Sequence, residues 1–272
     1  MKKQDPYCYP ETSVLKNKFN IREVSLLEKA EADLSRAKMS ILYESPVDKF
    51  DAQSFLRVHE FLFEEVYDWA GRLRTINISK PEEVLGGKSI WYEDALDLPE
   101  SLDRACTAIV DTVWHIRDKR RFCAQLAHVF APIWKVHPFR EGNTRTVVAM
   151  MVMFIEHNGF YVDAQLVTEC AGYVRDALVY ASAAQPDFYP LTKFLNDAIS
   201  RVPFDVTKKS APEEQKDVRV ISRTKAEGTI IIHMNLDLRL LRKTNIQFNE
   251  VGSELQKTVK LENFYSVMRS FR

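Results

Sequence analysis

A nine-residue segment, HPFREGNTR at positions 137–145, carries the residue types that chemistry on a phosphate group requires. An imidazole accepts a proton near neutral pH, a carboxylate holds a hard divalent cation, and guanidiniums neutralise phosphate charge. This segment also supplies a carboxamide, which donates hydrogen bonds. The pattern predicts a phosphate-transfer site, and the alternative is a capped helix start with a solvated charge cluster.

The backbone of this segment is predicted to be a loop that leads into a helix. Pro138 disfavours helical geometry at His137, and Gly142 permits a tight turn. A helix that starts near Asn143 or Thr144 directs unpaired N–H groups toward the loop, and its dipole favours negative charge there. The segment is therefore expected to bind an anion.

The segment resembles the signature of the Fic family, His-Pro-Phe-x-Asp/Glu-Gly-Asn-x-Arg, and every fixed position is present. The similarity extends over roughly the first two hundred residues, including VYDWAG at 66–71. The resemblance implies transfer of AMP from ATP to a Ser, Thr or Tyr hydroxyl of a target protein, with Mg²⁺. It also implies a mainly α fold, a Fic-type helical bundle with an inserted β-hairpin flap, followed by a small C-terminal extension.

The resemblance assigns a role to each position of the segment. His137 is expected to be the general base, and Glu141 is expected to hold Mg²⁺ against the nucleotide phosphates. Phe139 is expected to be a buried anchor for the loop. The remaining polar positions are expected to bind phosphate, namely Arg140, Gly142, Asn143, Thr144 and Arg145.

Two positions depart from the family pattern. Many members carry a second arginine three residues after the first, where it grips the γ-phosphate, and this chain has Val148 there. Thr144 stands where glycine is common. Loss of one guanidinium is expected to weaken the orientation of the triphosphate, and Arg140 is a candidate to compensate.

Residues 73–92 are predicted to form a β-hairpin between helices. Residues 73–80 alternate at period two, and the turn-forming pair Gly86 and Gly87 follows. The hairpin resembles the Fic flap, which implies that a target protein binds there by strand addition. The flap residues singled out are Ile76, Ile78 and Lys80. For Lys80, a nucleotide contact and an ordinary surface position are equally compatible with the sequence.

Helical periodicity accounts for most of the remaining chain. The predicted helices are Val24–Met39, Ser54–Trp69, Pro99–Arg117, Lys119–Lys135, Thr144–His157, Ala164–Ser182 and Pro190–Ile199. The helix over Thr144–His157 is apolar on nearly every side, so it is expected at the centre of the bundle. Composition shifts after Pro203, which predicts a catalytic domain over 1–203 and a C-terminal extension, with regulation as one role, over 204–272.

The extension contains one match, at 258–263, to the inhibitory pattern Ser/Thr-x-x-x-Glu-Gly/Asn of the Fic family. A strand is predicted over Gly228–Met234 and a helix over Gly252–Arg272. In a helix, Thr258 and Glu262 share one face, where Glu262 is expected to meet Arg145. Self-inhibition by this helix, an antitoxin-like regulator and an ordinary exposed glutamate all remain open.

Composition limits the other classes of function. The 38 basic and 38 acidic residues give no net charge, which argues against a nucleic-acid partner. The apolar run Val147–Ile155 is too short for a membrane span, and four scattered cysteines favour a cytoplasmic protein. Two alternatives to AMP transfer stay open: phosphoryl transfer, as in the related Doc toxins, and non-catalytic binding of a nucleotide or partner.

Overall fold

A computed structural model describes residues 5–203 and, in the C-terminal part, the backbone of strands at 219–226, 229–235, 249–251 and 254–259. The chain divides into two compact units. The first contains Met1–Lys18 and Leu42–Phe204, and the second contains Phe19–Ile41 and Asp205–Arg272. All the residues of the 137–145 segment belong to the first unit. The domain boundary expected at residue 203 stays a prediction.

Helices dominate the part of the chain that the structure describes, which confirms the mainly α fold class. They are α1 Val24–Glu44, α2 Ala52–Phe63, α3 Leu98–Asp111, α4 Lys119–Val136, α5 Asn143–His157, α6 Ala164–Glu169, α7 Ala171–Ser182 and α8 Tyr189–Ala198. None of these helices combines the length and apolar character that a bilayer span requires.

Aspartate side chains start three of the helices. Asp51, Asp118 and Asp163 each accept a hydrogen bond from a backbone N–H in the first turn, of α2, α4 and α6 respectively. Such caps satisfy donors that a helix leaves unpaired, which is why these starts fall close to the predicted ones. One predicted helix is wrong in its continuity, because the stretch Ala164–Ser182 is broken at Cys170 into α6 and α7.

Helices α4 and α5 form the centre of the first unit. Helix α4 packs against α3, α5, α7 and α8, and α2 packs against α5. The central position of α5 is as predicted, since its buried side chains cover nearly the whole circumference. They include Thr146, Val147, Ala149, Met150, Met151, Val152, Met153, Phe154 and Ile155.

The hairpin between α2 and α3 is shorter than predicted. Strands β1 (Pro81–Glu82) and β2 (Lys88–Ser89) pair antiparallel around a 3₁₀ turn, Glu83–Leu85. Residues 73–80 form no ladder, although exposure still alternates there: 75, 77 and 79 are exposed, whereas 76, 78 and 80 are half-buried. The predicted alternation of exposure is therefore confirmed, but within the described part of the chain these residues pair with no strand.

The other strands lie C-terminal to α5. Strands β3 (Tyr161–Val162) and β4 (Ile199–Ser200) pair antiparallel. An antiparallel sheet in the second unit has the order β5-β6-β8-β7. Its strands are β5 Arg219–Ala226, β6 Thr229–Asn235, β7 Asn249–Val251 and β8 Glu254–Val259.

The helix predicted over Gly252–Arg272 is wrong for Glu254–Val259, which is a strand paired with β6. Thr258 therefore follows strand geometry, in which residues four apart do not meet as they do on a helix. Glu262 lies outside the described residues. The strand predicted over Gly228–Met234 is confirmed as β6.

Candidate active site

The 137–145 segment forms a loop between the two central helices. Helix α4 ends at His137, which has a left-handed φ of 50° and donates its backbone N–H to the carbonyl of Trp134 over 3.0 Å. Pro138 cannot continue the helix. Helix α5 begins at Asn143, as predicted, directly after Gly142 with a φ of 84°. The loop thus presents the N-terminus of α5 on one side and His137 on the other.

The side chain of Asn143 closes this loop. Its Oδ1 accepts a hydrogen bond from the Phe139 N–H over 2.9 Å, and its Nδ2 donates to the Phe139 carbonyl over 2.8 Å. Phe139 is fully buried, which matches its expected role as an anchor. The carboxamide of Asn143 is therefore engaged within the loop, and its role in binding phosphate stays a prediction.

Gly142 lies where no side chain fits. A Cβ at this position would come within 2.5 Å of the Phe63 ring. The guanidinium of Arg145 lies over the same ring, 4.8 Å from its centroid, in a cation–π contact. The first bond within α5 runs from Thr146 N–H to the Gly142 carbonyl over 3.1 Å. The N–H groups ahead of it have no partner within the helix, and a helix start of this kind binds phosphate.

The imidazole of His137 is 3% exposed and has neither ring nitrogen hydrogen-bonded within the described part of the chain. Its face stacks on Tyr92, with centroids 4.0 Å apart, and Trp134 packs against it edge-on at 5.2 Å. Burial, reinforced by the charge of Lys80, holds the pKa of His137 well below its usual value. The ring is therefore neutral near pH 7.

Glu141 connects the loop to the hairpin. Its Oε2 lies 3.1 Å from Lys80 Nζ, and its Oε1 accepts the Gly142 N–H over 3.1 Å. Burial opposes ionisation, but Lys80 and the Gly142 N–H outweigh it and lower the pKa of Glu141 to about 2. The described residues contain no cluster of three or more His, Cys, Asp or Glu side chains arranged for a metal. One ionised carboxylate fits a Mg²⁺ ion that takes its other ligands from phosphates and water.

His59 is a neighbour of the loop that the sequence analysis did not single out. Its Nδ1 accepts the Gly71 N–H over 2.9 Å, so Nε2 carries the proton and donates to the Glu141 carbonyl over 3.0 Å. The ring also stacks on Phe139 at 3.6 Å. Burial lowers the pKa of His59 to about 3, which keeps it neutral. His59 thus fixes the backbone that carries Glu141.

Arg74 is a second residue whose role the sequence pattern missed. It is 2% exposed, and its guanidinium donates to the carbonyls of His137 (2.9 Å), Ile76 (2.7 Å) and Glu93. Its backbone N–H donates to the Pro138 carbonyl over 2.8 Å. Arg74 therefore joins both ends of the hairpin to the loop. The alternation of residues 73–80 predicted only that Arg74 is one residue of a β-strand.

Two predicted phosphate ligands already have partners. Arg140 pairs with Asp5, to which both Nε and Nη2 lie within 2.8 Å. Thr144 Oγ1 accepts the indole N–H of Trp134 over 2.9 Å, which leaves its hydroxyl proton to donate. For Arg140, phosphate binding stays a prediction and requires the guanidinium to leave Asp5.

The structure brings together most of the predicted site. The loop residues and Lys80 surround the start of α5, and Ile76 and Ile78 lie half-buried along the extended segment that leads to Lys80. Val148 is half-buried on α5, so no guanidinium occupies the position of the second family arginine. The proposed inhibitory pair stays a prediction, because Thr258 belongs to the second unit and Glu262 lies outside the described residues.

Comparison with known sequences identifies relatives of this chain. The model of the Fic/DOC family matches residues 49–155. A probable protein adenylyltransferase of Sinorhizobium fredii, y4lH, is 30% identical over 168 residues, which cover 59% of this chain and 80% of that protein. The protein adenylyltransferase VbhT of Bartonella schoenbuchensis is 28% identical over 162 residues, and the match spans 32% of its length.

Solved structures share the fold. BepC of Bartonella tribocorum, crystallised with AMPPNP, superposes with a TM-score of 0.58 at 22% identity and covers 71% of this chain and 96% of its own. The N-terminal FIC domain of Bep8 from Bartonella sp. 1-1C gives a TM-score of 0.60 at 22% identity. The match covers 75% of this chain and 97% of the Bep8 domain. These structures support the helical architecture described above.

Proposed function

The chain belongs to the Fic/DOC family, and on that premise we propose that it is a protein adenylyltransferase. It transfers AMP from ATP to a Ser, Thr or Tyr hydroxyl of a target protein, with Mg²⁺. The observation that carries this proposal is a buried, neutral His137 whose two ring nitrogens lack partners within the described residues, beside the N-terminus of α5. Relatives named as adenylyltransferases support the same reaction.

His137 acts as the general base. A target hydroxyl that reaches one ring nitrogen gives that buried nitrogen a hydrogen-bond partner, so its approach relieves an unsatisfied group. The imidazole takes the hydroxyl proton while the oxygen attacks the α-phosphorus of ATP. A new phosphoester bond forms, the α–β phosphoanhydride bond breaks, and pyrophosphate leaves.

The loop and α5 supply the charge that this transfer needs. The backbone N–H groups at the start of α5 and the guanidinium of Arg145 face negative charge on the phosphates. Glu141 would hold Mg²⁺, which would offset the negative charge of the phosphates when bound. Asn143 contributes by holding the loop in the shape that exposes these donors. Gly142 contributes by allowing the phosphates to approach the backbone.

The flap presents the target. Residues 75–80 form no ladder within the described part of the chain, so we expect their backbone to pair with an extended segment of another protein. Ile76 and Ile78 lie on one side of this segment, and the side chain of Lys80 pairs with Glu141. Main-chain pairing positions a hydroxyl with little dependence on the sequence of the target.

Radiolabel transfer tests the proposal. The purified chain, with Mg²⁺ and a cell lysate, is expected to label protein from α-³²P-ATP, and the His137→Ala variant is expected to lose the label while it keeps its far-ultraviolet circular dichroism. Label from γ-³²P-ATP alone would indicate phosphoryl transfer instead. Absence of label from both would leave a nucleotide- or partner-binding protein. Mass spectrometry of the labelled proteins identifies the target and the modified hydroxyl.

A further inference from the structure

The orientation of the His137 ring poses a physical problem. A catalytic histidine is commonly oriented by a hydrogen bond from one ring nitrogen to a carboxylate or carbonyl. Here neither nitrogen has such a partner within the described residues, although the ring is 3% exposed. A ring without that bond needs another restraint to stay in a productive orientation.

Aromatic stacking provides the restraint. The Tyr92 ring lies against the face of His137, with centroids 4.0 Å apart and planes inclined by 27°, and Trp134 meets the ring at 90°. Offset stacking of this kind favours one ring orientation. Contact of Tyr92 with the face of the imidazole uses none of the hydrogen-bonding capacity of the nitrogens, which lies in the plane of the ring.

Tyr92 is itself fixed by a buried polar network. Its hydroxyl donates to Glu82 Oε1 over 3.1 Å, and Glu82 is 1% exposed. Arg175 on α7 donates to the same carboxylate, with Nη2 at 2.8 Å from Oε2 and 3.1 Å from Oε1. The Tyr92 ring therefore cannot turn away from His137 unless a buried carboxylate loses a partner, which is costly.

We propose that Tyr92, held by Glu82 and Arg175, is the positioning residue for His137. The flap strand β1 and helix α7 thereby set the direction in which the general base points. This inference rests on the proposed role of His137 as base. It adds to that role the device that keeps the ring oriented while neither nitrogen is committed to a hydrogen bond within the described residues.

Nuclear magnetic resonance tests the stack without any turnover. A ring stacked on tyrosine shifts the carbon-bound protons of His137 upfield, and His137→Gln identifies the signals by their loss. Tyr92→Leu is expected to remove the upfield shift, Tyr92→Phe to keep it, and Trp91→Leu, which changes the 90% exposed neighbour, to leave it as in the unmodified chain. An unchanged His137 signal in Tyr92→Leu overturns the proposal.

Kinetics test the positioning role. Tyr92→Leu is expected to lower kcat about 10- to 100-fold with KM for ATP within about two-fold, because only the alignment of the base changes. Tyr92→Phe is expected to stay within about three-fold of the unmodified kcat. A Tyr92→Leu variant with the unmodified kcat, or one whose loss lies entirely in KM, overturns the proposal.

A gentler variant addresses the possibility that Tyr92→Leu misfolds. Glu82→Gln keeps an acceptor for Tyr92 but removes the charge that holds Arg175, so it is expected to broaden or shift the His137 signals and lower kcat by a smaller factor. Identical signals and kcat in Glu82→Gln contradict the network. If no transfer by the unmodified chain depends on His137, the proposed function fails, whereas full transfer in Tyr92→Leu refutes the positioning role alone.

Discussion

Lys80 Nζ lies 3.1 Å from Glu141 Oε2, and this ion pair joins the flap to the loop ahead of α5. Both side chains are about one-third exposed, so solvent screens the pair and its contribution to stability is small. Its importance is chemical. A cation already lies against the carboxylate that is proposed to hold Mg²⁺, so Glu141 is ionised and directed into the site before any metal binds.

Glu141→Gln is expected to lower AMP transfer by about 100-fold, because the neutral amide cannot replace a carboxylate in holding Mg²⁺. Gln retains an oxygen that accepts the Gly142 N–H, so the loop should keep its shape. Electron paramagnetic resonance with Mn²⁺ and a non-hydrolysable ATP analogue measures metal binding directly. Glu83→Gln, on the hairpin turn, serves as the control, and equal Mn²⁺ affinity in the two variants would contradict the assignment.

Gly142→Ala is expected to destabilise the chain by about 2–5 kcal/mol. A left-handed φ costs a non-glycine residue about 1–2 kcal/mol, and the clash with the Phe63 ring adds about 1–3 kcal/mol. Gly87→Ala is a matched control, because its φ of 82° is similar but nothing lies within 4 Å of its Cβ. Urea denaturation gives both values. A loss in Gly142→Ala no larger than that in Gly87→Ala would argue against the clash.

Stability is expected to fall as the pH is lowered from about 6.5 toward 3, in part because of His59. Its folded pKa is lowered to about 3, so over this range the unfolded chain binds a proton that the folded chain excludes. Each such group contributes a slope of up to about 1.4 kcal/mol per pH unit. His59→Gln keeps a donor for the Glu141 carbonyl but does not titrate.

The comparison for His59 is made by urea denaturation in EDTA at several pH values. His59→Gln is expected to lose about 1–3 kcal/mol near pH 7, because the Gly71 N–H lacks its acceptor. Its stability should then decline less steeply toward low pH, by about one proton. Equal slopes in the two proteins would show that His59 is not the group responsible.

The acid limb of the rate profile is expected to lie below pH 6.5. Burial and the charge of Lys80 lower the pKa of His137, so the imidazole remains an unprotonated base at pH values where an exposed histidine is protonated. The profile of kcat/KM should therefore stay level through pH 6.5. Nucleotide binding measured at each pH separates this effect from titration of the phosphates, and a midpoint above 6.5 would contradict it.

Local backbone rules explain what the sequence predicted well. Pro138 and Gly142 limit the backbone of the loop, and the start of α5 at Asn143 follows from them. Aspartate caps set the starts of other helices in the same way. These effects act between residues that are neighbours in the sequence, so the sequence alone is enough to predict them.

Long-range contacts explain what the sequence missed. Arg74, His59 and Tyr92 act on the loop across 45 to 82 positions of sequence, and their residue types are equally compatible with a strand, a helix face and a packing role. The strand predicted at 73–80 lacks a ladder because Arg74 turns inward to bind carbonyls instead of continuing a strand. In Glu254–Val259, pairing with β6 overrides the apparent helical pattern.

The inward turn of Arg74 has an evolutionary consequence. The guanidinium of Arg74 donates hydrogen bonds to the carbonyls of His137 and Ile76. The proposed base and the residues that lead into the hairpin are therefore held by the same side chain. Substitutions confined to the tip of the hairpin, residues 83–87, are expected to leave these contacts in place. The tip is therefore free to vary toward different target proteins, whereas Glu82 and Tyr92 are not.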